Sequence, residues 1–196
     1  DGLAAATDPD VQAIVIASDL AQFSAGADMA ELGRKDAGLG LALLCDVIES
    51  FPKPVVVAIN GNAVGGGLEL ALAAHGRVAD EKAYLGLPEV SLGSLPSAGG
   101  TQRLPRIVGA QAALKVLLET APLSATQALA IGLVDQVVAT GLRDAACAMA
   151  LTLAAAGKPQ RSSERRDGLR VRFIAGLNSA ASSQRARSHQ SAGLAD

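Results

Sequence analysis

Residues 55–69 read VVVAINGNAVGGGLE, and the fold turns on that stretch. Val55–Asn60 is a short apolar run rich in β-branched residues, entered through Pro52 and Pro54, and it predicts a buried strand. Gly61–Gly67 holds four glycines and predicts a loop. Leu68–Ala74 (LELALAA) predicts a helix leaving that loop. A glycine loop between a strand and a helix lets a ligand approach the backbone. The free N–H groups at the helix start favour negative charge there. Nucleotide readings fail on spacing: there is no G-x-G-x-x-G, and no Lys-Ser/Thr follows the glycines. Close helix–strand packing is the competing, purely structural reading of the same glycines.

Working outward, Val11–Ala17 follows the turn signal Asp8-Pro9-Asp10 and predicts another buried strand, with a loop over 18–28. Residues 39–51 have apolar residues at helical spacing and predict a helix stopped by Pro52. Short strands are expected near 76–79 and 83–86, then a turn-rich loop over 88–98. Residues 99–119 predict two helices broken at Gly109. Ser124 is a plausible N-cap for a helix ending near Gly132. Val134–Val138 predicts a strand and 142–156 an Ala-rich helix. Residues 157–167 have the composition of a linker, and 168–189 that of a basic helix. Strands alternating with helices imply an α/β domain with largely parallel pairing. Ligand sites in such sheets form in loops at the carboxyl ends of strands, which selects 18–28 and 61–67.

Composition narrows the function classes. With 49% apolar and 18% charged residues, most of the 196-residue chain must be folded. Aromatics at 2% argue against a nucleic-acid reader that stacks bases on rings. The net charge of −2 implies no bulk attraction to nucleic acid or a membrane. It is uneven, however, because residues 158–196 carry 8 Lys/Arg against 3 Asp/Glu. The Arg cluster at 161–172 reads as a solvated linker. No run of 18 apolar residues occurs, so no spanning helix is expected. Cys45 and Cys147 both fall in apolar helical patterns and predict buried free thiols, which suits a reducing compartment. His75 and His189 have no metal-ligand spacing, so no metal is expected, and His75 reads as a capping group at a helix end.

The chemistry concentrates on two carboxylates. Glu69 lies in the first turn of the helix after the glycines, where it also suits the helix dipole. Glu89 lies in a second turn, Gly86-Leu87-Pro88-Glu89. Both have apolar flanks, which tend to desolvate a carboxylate and raise its pKa. Two glutamates at one cavity can serve as acid and base. The loop Phe23–Met29 (FSAGADM) supplies small residues and Gly26, with Asp28 a candidate helix cap. One N–H from this loop and one from the 65–67 glycines can make a two-donor oxyanion hole.

The segments FSAGADM (23–29), PKPVVVAINGNAVGGGLELALAAHGRVA (52–79), LGLPEVSLGSLPSAGGTQRLPRIVG (85–109) and PLSATQALAIGLVDQVV (122–138) closely resemble the crotonase, or enoyl-CoA hydratase/isomerase, superfamily. The likeness spans roughly residues 8–156. It implies a spiral of ββα units, an acyl-CoA thioester as ligand, and no cofactor beyond the coenzyme A of the substrate. It places the oxyanion donors on Ala27 and Gly66 and the two hydratase carboxylates on Glu69 and Glu89. Ala25, Gly26, Asp28 and Met29 would line the ligand path, and Gly65, Pro88 and Ser97 are further substrate-binding positions. The reaction implied is addition of water across the 2,3 double bond of a trans-2-enoyl-CoA. A Δ3-Δ2-enoyl-CoA isomerase, which needs one glutamate, is the second enzymatic reading. An inactive acyl-CoA-binding or assembly piece is the non-enzymatic one.

Two departures accompany the resemblance. The family often reads Pro-Gly-x-Gly-Gly-Thr where this chain has Pro96-Ser97-Ala98-Gly99-Gly100-Thr101. Ser97 is costly if that backbone needs positive φ, and harmless if only its N–H is used. Family members also usually carry a strand–turn–strand before the point where Asp1 stands, so N-terminal strands are expected to be missing. Residues 158–192 resemble the linker and following helix of multifunctional fatty-acid oxidation enzymes. The resemblance therefore implies either a homo-oligomer or a covalent fusion to a 3-hydroxyacyl-CoA dehydrogenase half. No dinucleotide fingerprint is present in this chain.

Overall fold

The computed structural model of the chain describes residues 2–26, 40–157 and 159–164. After a short helix α1 (Gly2–Ala5) come β1 (Ile14–Ala17), α2 (Leu41–Ser50), β2 (Val55–Ile59), β3 (Asn62–Val64), α3 (Gly66–Ala73), β4 (Gly76–Asp80) and β5 (Tyr84–Gly86). A 3-10 turn (Pro88–Leu92) then leads to α4 (Gly100–Val108), α5 (Ala110–Glu119), β6 (Leu123–Ser124), α6 (Ala125–Ala130), β7 (Gln136–Val138) and α7 (Leu142–Ala155). A second 3-10 turn covers Ser162–Glu164.

Two sheets result. The larger has the order β1-β2-β4-β7, parallel throughout, with Val57 opposite Ile16 on one side and Arg77 on the other. The smaller has the order β3-β5-β6, with β3 and β5 parallel and β6 antiparallel. Each pass of the chain puts one strand in each sheet and then a helix or turn: β2-β3-α3, then β4-β5 and the 3-10 turn. This is the expected α/β spiral of ββα units. The 61–67 stretch is more ordered than its glycines predict, since β3 lies inside it. Three residues are too few for alternation to show in the sequence.

Every residue of β2 is buried, as its continuous apolar run requires. Val55, Val57 and Ile59 face a large core with Leu68 and Leu72 of α3 and Ile48 of α2. Val56 and Ala58 face the other way, with Val78, onto Ala146 and Ala150 of α7. Gly76 lets α7 come close, since a Cβ there would stand 2.8 Å from Met149 Sδ. The Ala-rich composition of α7 thus has a packing cause: small residues on both sides allow a short helix–sheet distance. Strand β1 is half-buried rather than buried, and its pairing begins at Ile14, not Val11.

Several predicted details need correction or refinement. Cys45 is buried, and burial pushes its thiol up to about 11. Cys147, however, is exposed, because an all-Ala helix pattern does not reveal which face is turned outward. His75 caps a helix other than its own. Its Nδ1 accepts the Val55 N–H (2.9 Å) and its Nε2 lies 3.2 Å from the Glu49 carbonyl at the end of α2. An Nδ1 that accepts leaves the proton on Nε2, so this is a neutral ring, and burial lowers its pKa. Ser124 does cap α6, in a reciprocal capping box with Gln127. The helix break at Gly109 is present, with φ of 84°. The basic stretch 168–189 lies outside the described residues.

Candidate active site

The two loops selected from the sequence meet. Ser24 forms a parallel bridge to Ala63, its N–H donating to the Asn62 carbonyl (2.9 Å) and its carbonyl accepting the Val64 N–H (3.1 Å). Residues 23–25 thereby extend the smaller sheet and carry Ala25 and Gly26 to the start of α3. Gly26, at φ 98°, lies so close that a Cβ would stand 3.2 Å from the Val64 carbonyl and 3.8 Å from the Gly66 nitrogen. Ala27, Asp28 and Met29 follow directly and lie outside the described residues. Gly66 is the first residue of α3, so its N–H belongs to the first turn, where intrahelical partners are lacking. Gly67 cannot be larger, since a Cβ there would stand 2.5 Å from Ser24 Cβ.

Glu69 sits one turn into α3 and is 2% exposed. Its Oε1 accepts two backbone N–H groups, from Ala98 (2.8 Å) and Gly100 (2.8 Å). Loop 96–100 thus folds over this carboxylate and fixes its orientation. Gly100 is a glycine for the same reason, as a Cβ there would stand 3.0 Å from Oε1.

Glu89 reaches the site from β5, the strand paired with the β3 that leads into α3. Gly65 donates its N–H to the Gly86 carbonyl (2.9 Å) at the end of β5. Pro88 opens the 3-10 turn, and Glu89 follows with its Oε1 only 3.1 Å from where a Gly65 Cβ would be. Its Oε2 is buried and has no hydrogen-bond partner among the described residues. Burial raises the Glu89 pKa above the ordinary carboxylate value. A backbone N–H opposes the rise, and the charge of Glu69 adds to it. That interaction puts the two carboxylates in one electrostatic neighbourhood.

Ser97 is exposed and has no positive φ, the non-glycine exception among the described residues being Thr120. Serine in place of the family glycine therefore costs no backbone strain, and the donors to Glu69 are its neighbours Ala98 and Gly100. Those two N–H groups, together with Arg103 and Glu49 behind them, were missed from the sequence. Backbone donors carry no residue signature. Arg103 lies in 99–119, where the pattern predicts helices but does not show the partners of a side chain.

The profile of the family Enoyl-CoA hydratase/isomerase matches residues 3–163. The chain belongs to the enoyl-CoA hydratase/isomerase family. This member is 49% identical over 158 residues to the peroxisomal bifunctional enzyme of Danio rerio, covering 81% of this chain and 22% of that protein. It is 49% identical over 137 residues to a probable enoyl-CoA hydratase of Bacillus subtilis (strain 168), covering 66% of this chain and 53% of that one. The crystal structure of enoyl-CoA hydratase from Bacillus anthracis superposes with a TM-score of 0.71 at 34% identity, covering 80% of this chain and 64% of that one. This family member therefore spans about half of the B. subtilis relative and about a fifth of the bifunctional one. At that identity and TM-score the crotonase fold is shared.

Proposed function

We propose that this domain is an enoyl-CoA hydratase that adds water across the 2,3 double bond of a trans-2-enoyl-CoA in fatty-acid β-oxidation. The observation that carries the reading is the approach of Glu69 and Glu89, from the ends of the paired strands β3 and β5, to one glycine-lined helix start. Two carboxylates with different surroundings suit a reaction that needs a base and an acid at once. The relatives named as hydratases and β-oxidation enzymes support the same substrate class.

In this reading Glu69, held by Ala98 and Gly100, takes a proton from the attacking water as the new C–O bond forms at C3. Glu89 delivers a proton to C2, and burial, which raises its pKa, favours the protonated form that this step uses. The electron pair of the 2,3 bond moves onto the thioester oxygen in between. The N–H groups of Gly66 and Ala27 stabilise that oxygen, with the α3 dipole adding to the effect. The substrate-binding positions that the resemblance implies, Ala25, Gly26, Asp28, Met29, Gly65, Pro88 and Ser97, belong to this reading. No cofactor takes part, since coenzyme A arrives with the substrate. Residues 1–156 act as the hydratase unit and 157–167 as the linker to a following dehydrogenase half.

The test is incubation of the chain with crotonyl-CoA while following the conjugated thioester absorbance. Loss of absorbance that disappears in Glu89→Gln supports the reading. No loss with protein shown to be folded overturns it. Conversion of a 3-enoyl-CoA without hydration of the 2-enoyl-CoA transfers the assignment to the isomerase.

A further inference from the structure

Behind loop 96–100 stands a buried cation. Arg103, on the second turn of α4, is 5% exposed, and each of its three nitrogens is engaged. Nη1 donates to the Ala98 carbonyl (2.8 Å), Nη2 to Asp46 Oδ1 (2.7 Å) and Nε to Glu49 Oε2 (3.0 Å). Asp46 and Glu49 are both on α2, so the guanidinium ties α2 to the loop. Its backbone N–H also donates to the Gly99 carbonyl (2.8 Å). Gly99 at φ 98° accommodates the side chain directly, since a Cβ there would stand 2.1 Å from Nη1. The residue held by its carbonyl, Ala98, is one of the two whose N–H groups hold Glu69.

The anchor is itself braced. The other oxygen of Glu49, Oε1, accepts the Ser162 hydroxyl and the Ser163 N–H (3.1 Å). Burial works against a charge on Glu49, but these bonds and Arg103 outweigh it and hold the carboxyl below its ordinary range. The stretch 159–164, which composition marks as linker, is thus docked on α2 at the residue that orients Arg103.

We propose that Arg103 is a positioning residue for Glu69, acting through the Ala98–Gly100 backbone. The proposal rests on Glu69 being the base of the hydration reaction. An unbuttressed loop would still cover α3, but its two N–H groups would no longer be aimed at Oε1. A forked guanidinium can grip a carbonyl and two carboxylates together, whereas an ammonium on a flexible stem cannot hold that geometry. Misplacement of a reacting group by about 1 Å costs on the order of 100-fold in rate.

The experiment compares Arg103→Lys and Arg103→Met, each with and without Glu69→Gln, in the full chain. With Glu69 intact, the expected result is a fall in kcat of about 10- to 100-fold with KM changed less than about twofold, and no rescue by lysine. With Glu69→Gln already present, the Arg103 change is expected to cost less than about twofold more, because residues acting as one unit are not additive. A fully additive loss, or rescue by lysine, overturns the proposal. Amide resonances give a readout that needs no turnover. In Arg103→Lys the Ala98 and Gly100 N–H signals should move and exchange faster, while that of Leu68 in α3 stays put. If those two amides are unchanged, Arg103 does not position Glu69, whether or not the chain hydrates crotonyl-CoA. If they move but no variant, nor the parent, turns over crotonyl-CoA, the hydratase reading fails and the role of Arg103 as positioner of a catalytic base fails with it.

Discussion

Glu69 and Glu89 are the same side chain in two different settings. Glu69 stands on an eight-residue helix, 2% exposed, with one oxygen fixed by two backbone N–H groups. Glu89 stands on a 3-10 turn, half-buried, with one oxygen buried and without a hydrogen-bond partner among the described residues. The first setting fixes a carboxylate as a hydrogen-bond acceptor. The second makes the ionised form costlier and raises the pKa. Neither setting comes from a charged neighbour of opposite sign. Burial and backbone geometry, with the like charge of Glu69 adding to the rise at Glu89, separate the two roles.

The contrast is most exposed to Glu89→Gln. General acid–base groups contribute about 10²–10⁴-fold, and kcat for crotonyl-CoA hydration should fall by that range. Thermal stability should stay level or rise, because the amide stays neutral where an ionised carboxylate is disfavoured. A large drop in Tm would make Glu89 a structural residue. Next is Glu69→Ala, which strips the partner from two buried N–H groups and should cost about 1–3 kcal/mol in denaturant unfolding. Glu89→Ala should cost less, and the reverse order would erase the distinction.

Gly65→Ala tests the space between the two carboxylates. Both the strain at φ 54° and a contact of 3.1 Å with Glu89 Oε1 act there. Gly132→Ala, at φ 74° with nothing within 4 Å, isolates the backbone strain, about 1–2 kcal/mol. Only Gly65→Ala should also lower kcat.

The smallest effect is in the pH dependence of stability. The folded Glu89 pKa lies above the ordinary value of 4.5, so between the two the folded state holds this proton more often than the unfolded chain does. Folded protein therefore binds more protons in that window, and stability falls as pH rises through it. In Glu89→Gln this decline should vanish from a series of Tm measurements. His75 works in the opposite sense. Its folded pKa lies below 6.5, so its contribution is present above that value and lost as pH falls through the folded pKa.

Much of this was legible from residues 52–132, because the signals there are local. Proline stops, β-branched runs, the break at Gly109 and the cap at Ser124 each act within a few residues of themselves. The pairing of Ser24 with Ala63 needed the glycine loop to be a strand, and three residues of Asn-Ala-Val do not show a period. Arg103 escaped because its partners Asp46, Glu49 and Ala98 are on separate elements, and no spacing rule connects them. Cys147 was placed inside because alanine satisfies a helix pattern on every face. Ser97 left two alternatives open in the sequence, and its backbone angle decided between them.

The layout of the site also bears on how its parts find one another. Gly65, Gly66, Glu69, Glu89, Ala98, Gly100 and Arg103 all fall within the single stretch 65–103. Loop-closure entropy grows only with the logarithm of length, about 0.6 kcal/mol per doubling, so contacts within that stretch are among the cheaper ones in the chain to close. Residues 23–26 must instead be brought in across the whole of α2 and β2. The wall carrying both carboxylates is thus a local product of the chain, and the wall facing it is recruited from a distance by one short bridge at Ser24.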